Sequence, residues 1–107
     1  MRVRSVCTRL LPVLLALPGG PVLAETERQQ ELRHLVKHDC GSCHGLTLQG
    51  GLGPSLTPDR LKPFTAEQLA MTIVHGRPGT AMPPWRPFLS ETEAVWLAQG
   101  LKEGVFP

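Results

Sequence analysis

Cysteine is scarce in this 107-residue chain, which holds only Cys7, Cys40 and Cys43. Cys7 falls in a stretch that reads as a removable leader, leaving Cys40 and Cys43 as the only sulfurs of their kind and excluding a structural disulfide elsewhere. A closed zinc site needs more ligands at suitable spacing, yet there is no second Cys pair, and His34, His38 and His75 are scattered. Sustained apolar/polar alternation is also missing, which argues for an all-α domain and removes the βαβ context that a thioredoxin-like thiol pair requires. Long apolar runs are lacking too. The stretch from Leu10 to Leu17 is short of the ~20 residues a membrane span needs, and Pro12, Pro18, Gly19 and Gly20 interrupt it or follow it. No stable membrane insertion is expected. There is no internal repeat and no low-complexity tract beyond the leader.

The leader itself has three recognisable parts. Arg2, Arg4 and Arg9 form a basic beginning, Leu10 to Leu17 an apolar centre, and Val22-Leu23-Ala24 a small-residue cleavage site. Residues 1–24 are therefore expected to be a cleaved signal peptide that directs export to the periplasm, and residues 25–107 a single domain. Without the leader the charge balance changes sign: from residue 25 onward there are eight Lys and Arg against nine Asp and Glu. Neither a nucleic-acid partner nor a strongly basic docking ring is indicated.

At 83 residues, this domain is near the size at which a core made of protein alone is marginal. A bound group could supply the missing interior. Nine Gly and eight Pro fall in this part, concentrated at 41–53 and 76–87. Loops of that composition let the backbone approach a flat ligand closely and stay stiff while doing so.

The motif that fits is Cys40-Gly41-Ser42-Cys43-His44, a C-x-x-C-H attachment site for c-type haem. Two thiols three positions apart can form thioethers with the two vinyl groups of one haem, and the adjacent imidazole then lies under the iron. A haem-free thiol or zinc module is the rival reading, and the colour of the purified protein separates the two. His34 and His38, four residues apart on a polar helical face, read as solvated side chains before they read as a second metal site.

Three capping boxes mark the helices. Thr26-x-x-Gln29 opens a first helix over about 27–39, with Leu32, Val36 and Cys40 on one face. Thr65-x-x-Gln68 opens a helix over 66–75, with Leu69, Ala70 and Ile73 inward and Gly76 and Pro78 ending it. Ser90-x-x-Glu93 opens the last helix over 91–103, with Ala94, Leu97, Ala98 and Leu101 on one face, Trp96 at its margin and Gly104 as the stop. Thr57-Pro58-Asp59 suits one short helical turn. Met71 sits on the second capped helix, where a packing role suffices, and His75 closes that helix. Met82, by contrast, stands in the Pro-framed loop Thr80-Ala81-Met82-Pro83-Pro84, the setting for a thioether that must point at an iron from the side opposite His44.

Taken together, these residues resemble a class I cytochrome c: C-x-x-C-H after a first helix, Gly53-Pro54 in the next loop, Met82-Pro83 in a later one, and a closing helix. The resemblance implies three main helices plus loops around one covalently bound haem c. It also implies thioethers at Cys40 and Cys43, axial iron ligation by His44 and Met82, and a Pro54 carbonyl that accepts a hydrogen bond from His44. Family members usually carry a Gly and an aromatic on the first helix where it crosses the last. Here those positions are Val36 and Leu32, and Gly100 is expected to provide the close approach instead. More narrowly, His38-Asp39-Cys40-Gly41-Ser42-Cys43-His44 together with the segment from His75 to Trp85 is similar to the periplasmic cytochrome c55X group of denitrifying bacteria. That similarity implies a one-electron carrier rather than an enzyme, with cytochrome cd1 nitrite reductase or its haem d1 maturation machinery as partner. An accessory role in haem d1 maturation is the alternative.

Overall fold

The computed structural model describes residues 12–106 apart from 14, 17, 21 and 22. The leader expected over 1–24 lies largely outside these residues, as does Cys7. Regular structure begins at Glu27, and everything regular among the described residues is helical.

Helix α1 (Glu27–Leu35) runs without a break into a π-helical turn, Val36–Cys40, and then into α2 (Gly41–His44). The expected end near 39 is therefore too early, because the helix carries on through the whole Cys-Cys-His motif. The π turn is fixed by the Gly41 N–H donating to the Val36 carbonyl. Such widened turns occur mostly at functional sites. One consequence is that Leu32 and Val36 are buried, while Cys40, expected on the same face, sits at its margin.

Three further helices follow: α3 (Pro58–Leu61), α4 (Ala66–His75) and α5 (Glu91–Glu103). At the starts of α1, α4 and α5 the cap hydroxyl accepts from the N–H three residues on, and that residue's side chain accepts from the cap N–H. Each such cap contributes about 1 kcal/mol and fixes where its helix begins. Helix α5 ends at Gly104 in a left-handed conformation (φ 69°), a geometry that favours glycine.

The α4–α5 seam is made of small residues. Ala66, Ala70 and Val74 of α4 meet Ala94 and Ala98 of α5, all buried, so the two backbones approach closely. This corrects the expected inward face of α4: Ala70 belongs to it, but Leu69 and Ile73 are only partly buried and lean toward the second core. That core unites Leu32 and Val36 with Leu48, Leu61, Leu89, Leu97, Leu101 and Phe106. No polar or charged residue is buried among the described residues.

Phe106 holds the crossing of the first and last helices. The chain turns back after Gly104 and lays the Phe106 ring against α5, edge-on to Trp96 at 5.8 Å between centroids. The Arg33 guanidinium of α1 lies 5.1 Å from the ring centroid and donates to the Val105 carbonyl at 3.0 Å. Gly100 does permit a close approach, but by this ring and not by α1: a Cβ there would lie 2.5 Å from a ring carbon. Lys102, expected only to favour the end of its own helix, reaches across to the carbonyls of Leu61 and Phe64 and satisfies the end of α3.

Candidate haem site

Cys40, Cys43 and His44 are placed by one continuous helical rod. Both thiols are free, with Cys40 partly buried and Cys43 exposed. Burial, helped by the neighbouring Asp39 carboxylate, pushes the Cys40 thiol up to about 11. It is therefore a neutral thiol at neutral pH, whereas a zinc ligand must be a thiolate. Among the described residues no three His, Cys, Asp or Glu side chains gather as a metal cage. His34 and His38 stack on each other at 4.9 Å between ring centroids, exposed on the helix surface.

The loop after α2 folds back to close the open end of that helix. Gly50 and Gly53 donate to the carbonyls of His44 and Cys43 at 2.7 and 2.8 Å. These bonds bring residues 53 and 54 against the His44 ring, whose Nδ1 lies 2.7 Å from the Pro54 carbonyl oxygen. A carbonyl can only accept, so Nδ1 carries the proton and Nε2 presents a lone pair. The ring is thus held in the tautomer and orientation that a metal ligand needs. Gly53 is what makes room, since a Cβ there would stand 2.9 Å from Cε1 and Nδ1 of the imidazole. Sequence reasoning saw this loop as flexible and Gly-rich but had no signal for Gly53 as clearance, for the π turn, or for Leu48, a non-glycine residue at φ 59°.

Met82 is positioned independently, from α4. The N–H groups of Trp85 and Arg86 donate to the Ile73 and Val74 carbonyls at 3.0 and 3.2 Å, and Arg77 donates to the Met82 carbonyl at 3.1 Å. Thr80 Oγ1 donates to the Arg77 carbonyl at 2.7 Å and accepts from the Met82 N–H at 3.3 Å. Gly76 (φ 67°) ends α4 and also admits this loop, because a Cβ there would lie 2.6 Å from Pro83 C and Pro84 N. Met82 is half-buried, whereas Met71 is 47% exposed on α4 and fills no core gap. His75 is exposed, and its Nδ1 accepts from Arg86 at 3.5 Å.

The residues present fit a haem. Two free thiols and an imidazole with its outer nitrogen already satisfied face a protein interior without buried polar groups. Leu35, Leu56, Leu69, Ile73 and Trp85 line the margin of that interior only partly buried, as walls of an apolar cleft would be.

A helical rod bearing C-x-x-C-H, a carbonyl-anchored imidazole and a separate methionine loop define a c-type cytochrome. Residues 27–99 match the family described as cytochrome c oxidase, cbb3-type, subunit III, and the chain belongs to the cytochrome c family, whose members carry covalent haem c. Within it the chain is a close homologue of cytochrome c55X. It is 55% identical over 80 residues to cytochrome c55X of Pseudomonas aeruginosa, covering 75% of this chain and 67% of that one. The solved structure of the c-type cytochrome NirC superposes with a TM-score of 0.74 at 52% identity, covering 78% of this chain and all of that one. A 36% identity over 74 residues links 69% of this chain to 15% of the dihydro-haem d1 dehydrogenase of Pseudomonas aeruginosa. Among the described residues, no helix is long and apolar enough to cross a membrane.

Proposed function

We propose that this protein is a periplasmic monohaem carrier that moves single electrons in denitrification, with cytochrome cd1 nitrite reductase or its maturation machinery as partner. The supporting observation is the pairing of a fixed imidazole, His44 Nδ1 to Pro54 O at 2.7 Å, with a methionine held rigidly in a different loop. In this reading Cys40 and Cys43 hold one haem c through thioethers, and His44 and Met82 occupy both axial positions. The haem supplies a one-electron couple between ferrous and ferric iron. The chain's own residues keep both axial positions filled, so no site is left for a substrate, and His/Met ligation raises the potential.

A second reading is an accessory role in haem d1 maturation, favoured by the similarity to a short part of a dihydro-haem d1 dehydrogenase. Anaerobic mixing of the reduced holoprotein with purified oxidised cytochrome cd1 nitrite reductase separates the two. Electron transfer faster than catalytic turnover supports the carrier. Absence of transfer, together with stoichiometric binding of a d1-type tetrapyrrole, favours the accessory role. A purified protein whose colour is removed by acid-acetone extraction would refute both.

A further inference from the structure

We infer that the outer face of the Met82 loop, carried by Arg77, Arg86, Trp85 and Phe88, is a docking surface for an acidic protein partner. The inference rests on the carrier reading, since it names the surface through which that carrier meets its partner.

Three observations support it. The first is charge segregation along the chain. Residues 68–90 contain no Asp or Glu but hold Arg77, Arg86 and His75, while the rest of the domain from residue 25 carries all nine acids against six bases. A protein of small negative net charge therefore has one cationic face, and that face is the loop framing Met82.

The second is that these two arginines have no acidic partner. Arg28 and Arg33 are each spent on carboxylates, Glu31 and Glu93 for the first and Glu25 for the second. Arg77 and Arg86 are exposed and form no ion pair among the described residues. The side chain of Arg86 is nevertheless not free to wander, because it donates to His75 Nδ1 at 3.5 Å. The backbones at both positions are tied to the end of α4 and to Met82. A guanidinium fixed in advance loses less conformational freedom when it meets a carboxylate.

The third is what lies between the charges. Phe88 is 63% exposed, its ring tilted against Trp85 at 5.9 Å between centroids, and Pro83 and Pro84 are exposed beside them. Aromatic residues and arginine are the side chains enriched at the energetic centres of interfaces, while lysine is depleted. The stretch 68–90 has two Arg and no Lys. An apolar centre flanked by two cations fits a protein surface with a hydrophobic patch bordered by carboxylates, and the charges would act mainly on the rate of encounter.

The test uses ferrous holoprotein and two small oxidants of opposite charge, hexacyanoferrate(III) and tris(1,10-phenanthroline)cobalt(III), in stopped flow at low ionic strength. One electron leaves the iron, the oxidant metal gains it, and no proton moves. R77E/R86E is expected to slow the anionic oxidant about tenfold, without slowing the cationic one, and the difference should collapse at high salt. R60E/K62E changes the net charge equally on another surface and should slow the anionic oxidant less than about twofold. If R77E/R86E fails to fold, R77Q/R86Q should give about a threefold effect in the same direction. Equal slowing by both reversals would assign the effect to net charge and overturn the face. Absence of slowing would overturn it as well. Cosedimentation with phosphatidylglycerol vesicles that is lost in R77E/R86E would assign the face to an anionic membrane instead. Inability of the wild type to reduce either oxidant would refute the carrier reading itself.

Discussion

Arg28 and Glu93, at the starts of the first and last helices, meet in a two-pronged ion pair, Nε to Oε1 at 2.9 Å and Nη2 to Oε2 at 3.0 Å. The same guanidinium donates to the Phe88 carbonyl at 2.9 Å, and the same carboxylate accepts from the Ser90 N–H that begins α5. One contact thereby fastens the first helix to the exit of the Met82 loop.

The pair makes stability depend on pH in a definite direction. Hydrogen bonding from Arg28, then from Ser90, holds the Glu93 carboxyl below the usual range. A carboxyl depressed in the folded state adds stability above its unfolded value of about 4.3, and that stability disappears as pH falls through the lower folded value. R28Q should therefore unfold at a lower temperature than wild type at pH 7, with the gap narrowing below about pH 4. Since the pair is partly solvent-facing, the gap should be small. Calorimetry of both holoproteins across pH checks this, and a gap that persists unchanged at acid pH would count against it.

Gly100 and Phe106 yield a prediction about the C-terminal turn. Phe106 is buried to 7% exposure, and its ring occupies the space a side chain at residue 100 would need. Gly100→Ala must push the ring away, at a cost of about 1–3 kcal/mol despite the better helix propensity of alanine. Phe106→Ala should cost about 3 kcal/mol or more. If the two act on one contact, the double variant will fall well short of the sum. Denaturant unfolding of the holoproteins, followed by circular dichroism, measures all three.

How much of this was legible in the sequence depended on whether the signal was local. The capping residues Thr26, Thr65 and Ser90 named three helix starts correctly because a cap is a contract between residues three apart. Ala94, Leu97, Ala98 and Leu101 showed their buried face by period alone. The π turn at Val36–Cys40 left no trace, since its cause is tertiary: Leu32 and Val36 enter the core, while Cys40 is turned to its edge. The inward face of α4 was misjudged because size outweighs hydropathy at a close helix pair, so that Ala66 and Val74 are preferred to Leu69 and Ile73. Phe106 could not be placed from sequence, as nothing in a two-residue tail says that it folds back under Arg33. Of the site, the motif residues could be read directly, but the fit of Gly53 against His44 is a distance and had to be seen.

That fit can be tested at the iron. Gly53→Ala places a carbon where the imidazole edge now lies, 2.9 Å from Nδ1. Either the ring or the loop must move, and the bond to Pro54 lengthens. The Pro54 carbonyl draws on the Nδ1 proton and makes Nε2 more basic, which favours ferric iron. Weakening the bond should raise the reduction potential, with the haem still covalently attached. Voltammetry showing an unchanged potential would mean that the loop yields and the hydrogen bond survives.

The last prediction concerns which side chain faces His44 across the iron. Met71, Met82 and His75 are the candidates near the second loop, and their settings differ. Met71 is 47% exposed along α4. His75, also exposed, already accepts a hydrogen bond from Arg86 through Nδ1. Met82 alone is half-buried in a frame fixed on both sides, by Arg77 and Thr80 before it and by the clasp of Trp85 and Arg86 onto Ile73 and Val74 after it. A soft donor gains most from such a frame, because a weak iron–sulfur bond survives only if the loop does not need to be ordered to make it. Met82→Ala should abolish the sulfur-to-iron charge-transfer band of the oxidised protein, lower its potential and admit imidazole or cyanide to the iron. Met71→Leu and His75→Ala should do none of these. Replacing Pro83 and Pro84 together by alanine should leave the band in place yet ease its displacement by imidazole, since the two prolines restrict the backbone next to Met82. Survival of the band in Met82→Ala would assign the ligand elsewhere and leave an iron site that a substrate could reach, which would shift the balance toward the accessory role.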